Sequence, residues 1–339
     1  MALEKKRIYL YDNLKFFLIL FVLIGHFMDF TGITDDTDGF RAVFIFLYSF
    51  HMPLFIFISG LFYSGKDVFR KIASFLAAGI IAEIVVFLSQ YILLGVNDFS
   101  LTSISGIPWY MLAMAAFTAL NYVFRDVNKV YMLVIAVLIA CFAGYSNDIG
   151  DEFTLSRIIV FYPFYILGSM TDKVKLERLS ENVKLKIAGG AVLVIWAVIC
   201  ALQVSHFYYL RLLFTGRNSF ADTLADTMMP FGSLYRLMCY AMAVLFGFSL
   251  ICLCSTRKLP LITTIGQRTL QVYFWHPTVV YILMAIPATA SLTTGTTGSK
   301  LLFILFSIPT LLILSLKPFA FPCNIIMKYS KPADKTNQQ

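Results

Sequence analysis

Apolar side chains in this chain gather into ten long runs separated by short polar connections, centred near Phe21, Leu54, Ile81, Ala115, Ile135, Tyr162, Leu193, Leu245, Leu283 and Leu311. Each run is about 16 to 25 residues, enough as an α-helix to cross a hydrocarbon core roughly 30 Å thick. The pattern predicts an all-α, polytopic integral membrane helical bundle of about ten transmembrane helices. The fourth, fifth and sixth runs are short, which leaves room for tilting or merging with a neighbour. No connection is long enough for a second domain, and no repeat recurs at a fixed period. Residues 1–330 therefore read as a single transmembrane domain and 331–339 as a polar, disordered tail. The first run lacks a small-residue cleavage site behind it and is expected to stay as the first helix.

Charge in the connections sets the orientation. Twenty of the 27 Lys and Arg fall on alternate connections, beginning with Lys5, Lys6 and Arg7 and ending with Lys317, Lys328, Lys331 and Lys335. The intervening connections hold only Arg41, Arg157, Arg211, Arg217, Arg236 and Lys300. Basic residues are retained on the cytoplasmic side, so both termini are expected there. Composition agrees: 59% of residues are hydrophobic and 14% charged, against about 25% charged in a soluble domain. The net charge of +8 is dispersed over short inner loops rather than gathered on one soluble face, which argues against nucleic acid as a partner. The six cysteines show no paired metal-type spacing, and no metal is expected. The longest outer connection, roughly 208–235, mixes Arg211, Arg217, Asp222 and Asp226 with Phe214, Phe220 and Phe231, a composition common in lids and binding segments.

Polar residues inside the runs carry the candidate chemistry, because an ionisable side chain in a bilayer is costly and is by default a functional candidate. Three of the four histidines, His26, His51 and His276, fall there, as does Glu83. Lys15 and His26 stand eleven residues apart, which places them within roughly 20° of one helix face and about 16 Å apart along the axis. Asp12 and Asp29 lie near that face. In the second run, Pro53 is expected to kink the helix and Ser59-Gly60 to allow close backbone approach.

The order Asp12-Asn13-Leu14-Lys15, ten residues, His26, then Ser49-Phe-His-Met-Pro-Leu-Phe-Ile-Phe-Ile-Ser-Gly60 resembles the start of the acyltransferase type 3 family, in its branch similar to fucose 4-O-acetylases. Lys15 stands where that family more usually has Arg. Pro108-Trp109-Tyr110, Ser156-Arg157 through Gly168, and Tyr273-Phe274-Trp275-His276-Pro277 resemble later segments of the same family in the same order. The resemblance implies a membrane-embedded O-acyltransferase that moves an acyl group, usually acetyl, from cytoplasmic acyl-CoA to a hydroxyl of a cell-envelope glycan or lipid-linked sugar. A multi-pass protein of the plasma membrane, surrounded by its lipids, is implied with it.

On that reading His26 is the general base, since a neutral imidazole is well poised to take a proton near neutral pH. Lys15 binds a CoA phosphate or pairs with Asp12 at the donor entrance, with Arg70, Lys71 and Arg268 as supporting cations. His51 leads the candidates for the oxyanion donor, followed by Ser59, Tyr273 and His276. Arg157, Trp109, Tyr110 and Glu83 are the candidate acceptor contacts. The alternative is a secondary transporter or flippase for a polar or sugar-containing substrate, although the two matching halves expected of one are not visible. Topology gives the first test: a reporter fused after Lys175 should report the cytoplasm and one inserted near Gly216 the opposite side. The same side for both would overturn the orientation.

Overall fold

A backbone surrounded by hydrocarbon must satisfy its own N–H and C=O groups, and every regular element among the described residues is a helix. The computed structural model describes residues 7–97, 99, 108–150, 152–217 and 219–329. The polar tail expected at 331–339 lies outside them. In chain order the helices are α1 (Tyr9–Asp29), α2 (Asp38–Tyr48), α3 (His51–Leu61), α4 (Val68–Leu94), α5 (Trp109–Val123), α6 (Lys129–Ala143), α7 (Leu155–Met170), α8 (Lys173–Ser180) and α9 (Val183–Phe207). There follow α10 (Leu210–Thr215), α11 (Gly232–Leu253), α12 (Pro260–Gly266), α13 (Thr269–Ala285), α14 (Pro287–Thr294), α15 (Thr297–Leu305), α16 (Ser307–Leu314) and α17 (Cys323–Tyr329).

Among the described residues, seven segments are long and apolar enough to cross a membrane: α1, α2 with α3, α4, α7 with the turn before it, α9, α11 with the turn before it, and α15 with α16. The other three apolar runs form shorter helices. α5 and α6 have fifteen residues each, and α13 runs into α14 through a 91° bend that makes an eighth span if the two are counted together. The second span begins earlier than the run around Leu54 suggested. It extends from Asp38 to Leu61 and breaks at Ser49-Phe50, where Trp196 Nε1 donates to Ser49 Oγ at 3.1 Å. Pro53 is not the site of the break. It lies in the first turn of α3, where a missing N–H has no intrahelical acceptor to lose.

Helix ends follow local chemistry. Thr31 Oγ1 donates to the Phe27 carbonyl at 2.8 Å, and Gly32 turns the chain at φ +70° beyond α1. α4 closes on Gly95 in the left-handed region, with Val96 N–H returning to the Gln90 carbonyl at 3.3 Å.

α1 is the hub, in contact with α2, α3, α12, α13, α15 and α16. Glycines set the closest crossings, as expected where apolar helices meet without a hydrophobic driving force. A Cβ on Gly60 would overlap the Tyr165 carbonyl, and one on Gly168 would overlap the Phe57 carbonyl, so α3 and α7 touch backbone to backbone at both points. Gly266 of α12 abuts the Asp12 carbonyl of α1 in the same way. α9 by contrast turns Ile187, Val194, Ile195 and Leu202 outward, and all four are exposed. In a bilayer this is a lipid-facing surface.

The α3–α7 crossing yields a stability prediction. Gly168→Val should cost at or above the upper end of the ~1–3 kcal/mol typical of overpacking, read as lost monodisperse yield and a lowered melting temperature in detergent. Gly190→Ala should be near neutral, because the nearest atom to its Cβ would be a Leu253 methyl at 3.7 Å. Equal behaviour of the two variants would refute the backbone contact.

Candidate active site

One face of α1 lines two cavities. Lys15, Ile19 and Val22 face a cavity of about 340 Å³, and Val22, His26, Asp29 and Phe30 face a second of about 290 Å³. The intervals of four, three and four residues keep these side chains on one stripe of the helix. Val22, Met52 and Tyr273 line both cavities and form the boundary between them.

The Lys15 cavity is mainly apolar. Phe55, Ile58, Phe75, Met111, Met114 and Leu270 make up much of its wall, with Lys15 and Lys71 as its cations. Lys15 Nζ is held 3.0 Å from Asp12 Oδ1, while Asp12 Oδ2 takes Arg7 Nε at 2.7 Å and Gln267 Nε2 at 3.2 Å. The Asp12 carboxylate beside it raises the Arg7 guanidinium further above its ordinary range. Asn13 fixes the neighbouring chain: its amide donates to the carbonyls of Ser255 at 2.7 Å and Arg257 at 2.9 Å, and its Oδ1 accepts from Thr263 at 2.6 Å. Within the motif Asp12-Asn13-Leu14-Lys15, Asp12 therefore gathers cations and Asn13 anchors the loop to α12.

The His26 cavity is polar. His26 Nδ1 lies 2.7 Å from His276 Nε2, and the rings are nearly coplanar, 10° apart with centroids separated by 5.0 Å, so they meet edge to edge. His276 Nδ1 lies 3.1 Å from the Val272 carbonyl one turn back in α13. A carbonyl only accepts, so in a neutral His276 the proton is on Nδ1 and Nε2 offers a lone pair. His26 Nδ1 must then carry the proton shared between the two rings. That leaves His26 Nε2 unprotonated, and the face of the ring stacks 5.0 Å from Phe30.

The same reasoning bears on His51. Its Nδ1 is 2.8 Å from the Leu47 carbonyl and donates to it, so the remaining nitrogen of the neutral ring has no proton to offer. Neither His51 nor His276 has a free N–H to direct at an oxyanion in its neutral form. Ser59 Oγ bonds the Phe55 carbonyl at 3.0 Å and the Tyr110 hydroxyl at 2.8 Å. Both Ser59 and Tyr110 face the Lys15 cavity rather than the His26 cavity. Of the four residues considered for the oxyanion, Tyr273 alone lines both cavities.

Arg157 and Trp109 do come together in the His26 cavity, with the guanidinium carbon 5.0 Å from the indole centre. Phe153 and Thr154 reach φ +48° and +57° just before α7, a left-handed conformation that costs non-glycine residues about 1–3 kcal/mol each. That turn starts the helix which presents Arg157. Arg70, Arg268 and Glu83 line neither cavity. Arg70 is exposed, and Arg268 donates to the Ser315 carbonyl at 2.8 Å near the end of α16.

The sequence reading did not assign Asp29, Tyr48, Arg211, Thr215 and Arg217 to the site, yet all five line the His26 cavity. The signal for three of them was the charged and aromatic composition of the 208–235 connection. That connection is tied down at several points. Ser156 Oγ donates to the Gly216 carbonyl at 2.7 Å, and the buried Arg236 donates to the Leu213 carbonyl at 2.6 Å. Arg211 pairs with Asp35 at 3.1 Å. Burial, reinforced by the Asp35 carboxylate that accepts its hydrogen bond at 2.8 Å, pushes the Tyr208 phenol up and keeps it a donor.

The comparisons with known proteins agree with this architecture. A family model described as an acyltransferase domain matches residues 8–316. Nodulation protein NolL of Sinorhizobium fredii (strain NBRC 101917 / NGR234) is 26% identical over 298 residues, covering 78% of this chain and 75% of that protein. No solved structure matches the chain. Because the family model runs over nearly the whole chain, including every helix that lines the two cavities except α17, this multi-pass membrane protein belongs to the acyltransferase type 3 family.

Proposed function

We propose that this protein is an O-acyltransferase that takes an acyl group, most readily acetyl, from cytoplasmic acyl-CoA bound in the Lys15 cavity. It transfers the group to a hydroxyl of a cell-envelope glycan or lipid-linked sugar held in the His26 cavity. The observation that carries this reading is the meeting of the two cavities at Val22, Met52 and Tyr273. An apolar channel with ammonium groups suits a pantetheine arm and its anionic head. A polar pocket with an unprotonated imidazole nitrogen suits a hydroxyl nucleophile. Lys15 and His26 are about 16 Å apart along α1, comparable to the length of a pantetheine arm.

In this mechanism His26 Nε2 removes the hydroxyl proton as the acceptor oxygen attacks the thioester carbonyl. The carbonyl π bond opens to a tetrahedral oxyanion. Its collapse breaks the C–S bond, and the imidazolium returns the proton to the departing CoA thiolate. His276 fixes which nitrogen of His26 is basic and which way the ring faces, and its accepting Nε2 stabilises the charge that His26 acquires. Tyr273, at the boundary of the cavities, is the candidate for the oxyanion contact. Lys15, steadied by Asp12, holds the CoA phosphates at the inner mouth, and Lys71 supports it.

A kinetic separation of the two cavities tests the proposal, using detergent-purified protein, labelled acetyl-CoA and a fractionated envelope glycan pool. His26→Ala should lower transfer about 10²- to 10⁴-fold with acetyl-CoA binding intact. His276→Leu, which removes the acceptor for His26 Nδ1–H, should lower it about 10–100-fold, the size of effect typical for an orienting partner. Lys15→Ala should raise the KM for acetyl-CoA far more than that for the acceptor. Near-normal transfer by folded His26→Ala would remove the base, and failure of the unmodified protein to bind any acyl-CoA would favour transport.

A further inference from the structure

The charges around the His26 cavity differ from what a neutral sugar hydroxyl requires. Its wall holds three guanidiniums, Arg157, Arg211 and Arg217, against one carboxylate, Asp29. A guanidinium has five donors and no acceptor, and its planar fork matches a carboxylate or a phosphate. Neutral hydroxyls, which both donate and accept, are served as well by amides and carboxylates. Charge in a membrane protein is also costly, about 2.5–3.5 kcal/mol at mid-bilayer on insertion scales, and Arg157 is only 3% exposed.

Each arginine is positioned by a different part of the fold. Arg157 lies over Trp109, Arg211 is oriented by Asp35 and the Tyr208 hydroxyl, and Arg217 stands exposed on the connection held by Ser156. These groups belong to the His26 end of α1, about 16 Å from Lys15, so they are not an extension of the cations assigned to CoA.

We propose that the acceptor carries an anionic group, a carboxylate or a phosphate, close to the hydroxyl that is acylated, and that Arg157, Arg211 and Arg217 bind it. This specifies the acceptor of the reaction proposed above and rests on that reading for the word acceptor. The binding preference itself is independent of turnover. A cavity of about 290 Å³, at the small end for ligand sites, suits one sugar ring with its charged substituent. A hexuronic acid residue and a sugar linked to lipid through phosphate both present this chemistry.

The test measures affinity in the absence of acyl-CoA, on the purified full-length protein, for three probes: a methyl hexoside, the matching methyl hexuronide and the hexose 1-phosphate. At least one anionic probe should bind about tenfold or more tightly than the neutral one, with a preference that shrinks as salt is raised. Which anion binds better identifies a carboxylate or a phosphate source. In Arg217→Gln the preference should fall several-fold, and in Arg211→Gln/Arg217→Gln it should fall further, to what Arg157 alone supplies. Equal binding of neutral and anionic probes would overturn the proposal, since arginines serving only the tetrahedral intermediate would not discriminate ground-state ligands. So would no binding of either anion, or a preference left undiminished by the double substitution. Acetyl-CoA binding, measured separately, reports on the acyltransferase reading, so failure of one does not read as failure of the other.

Discussion

Hydrocarbon cannot solvate a polar side chain, and this constraint organises the molecule around α1. Asp12, Asn13, Lys15 and His26 are all on that helix, and each finds its partners from another segment or a neighbouring turn. The helices that bring those partners are thereby drawn against it: α12 through Thr263 and Gln267, and α13 through His276. Small residues then allow the approach that the hydrogen bonds demand, as at Gly266 against the Asp12 backbone. The apolar surface left over is turned outward, most fully on α9.

The same constraint explains why the cavities differ. Near Lys15 the surface is mostly apolar, with much of the wall built from Phe, Met, Ile and Leu side chains of α3, α4, α5 and α13. Near His26 the wall includes the 208–235 connection and the start of α7, both of which bring arginine. In the proposed reaction a donor with a long, largely apolar arm and an acceptor rich in hydroxyls have opposite solvation needs, and cavities of opposite polarity that share a narrow boundary would meet both. The boundary residues Val22, Met52 and Tyr273 include a single hydroxyl.

The histidine pair shows how a site can be set by main-chain geometry. His276 is fixed by a carbonyl of its own helix, and it fixes His26 in turn. His26 is thus oriented by a second imidazole rather than by a carboxylate. His51 is committed to the Leu47 carbonyl in the same fashion, which leaves the second nitrogen of each neutral ring as an acceptor.

The sequence by itself determined that this is a helical membrane protein and that Lys15 and His26 share a face. It also singled out His26, His51, His276 and Arg157 as candidates, since long apolar runs admit only helices and isolated polar residues within them must be satisfied. It also identified the family. It did not determine that Lys15 and His26 would face separate cavities, because the wall between them is made by side chains of α1, α3 and α13 that are distant along the chain. It grouped Tyr110 with Arg157 and Trp109, whereas crossing helices carry that ring to Ser59 in the Lys15 cavity. The pairing of His26 with His276, 250 residues apart, and the recruitment of Arg211 and Arg217 were decided by tertiary structure alone. Periodicity fixes which way a side chain leaves its own helix, but only the crossing of helices and the anchoring of a loop decide what it meets there.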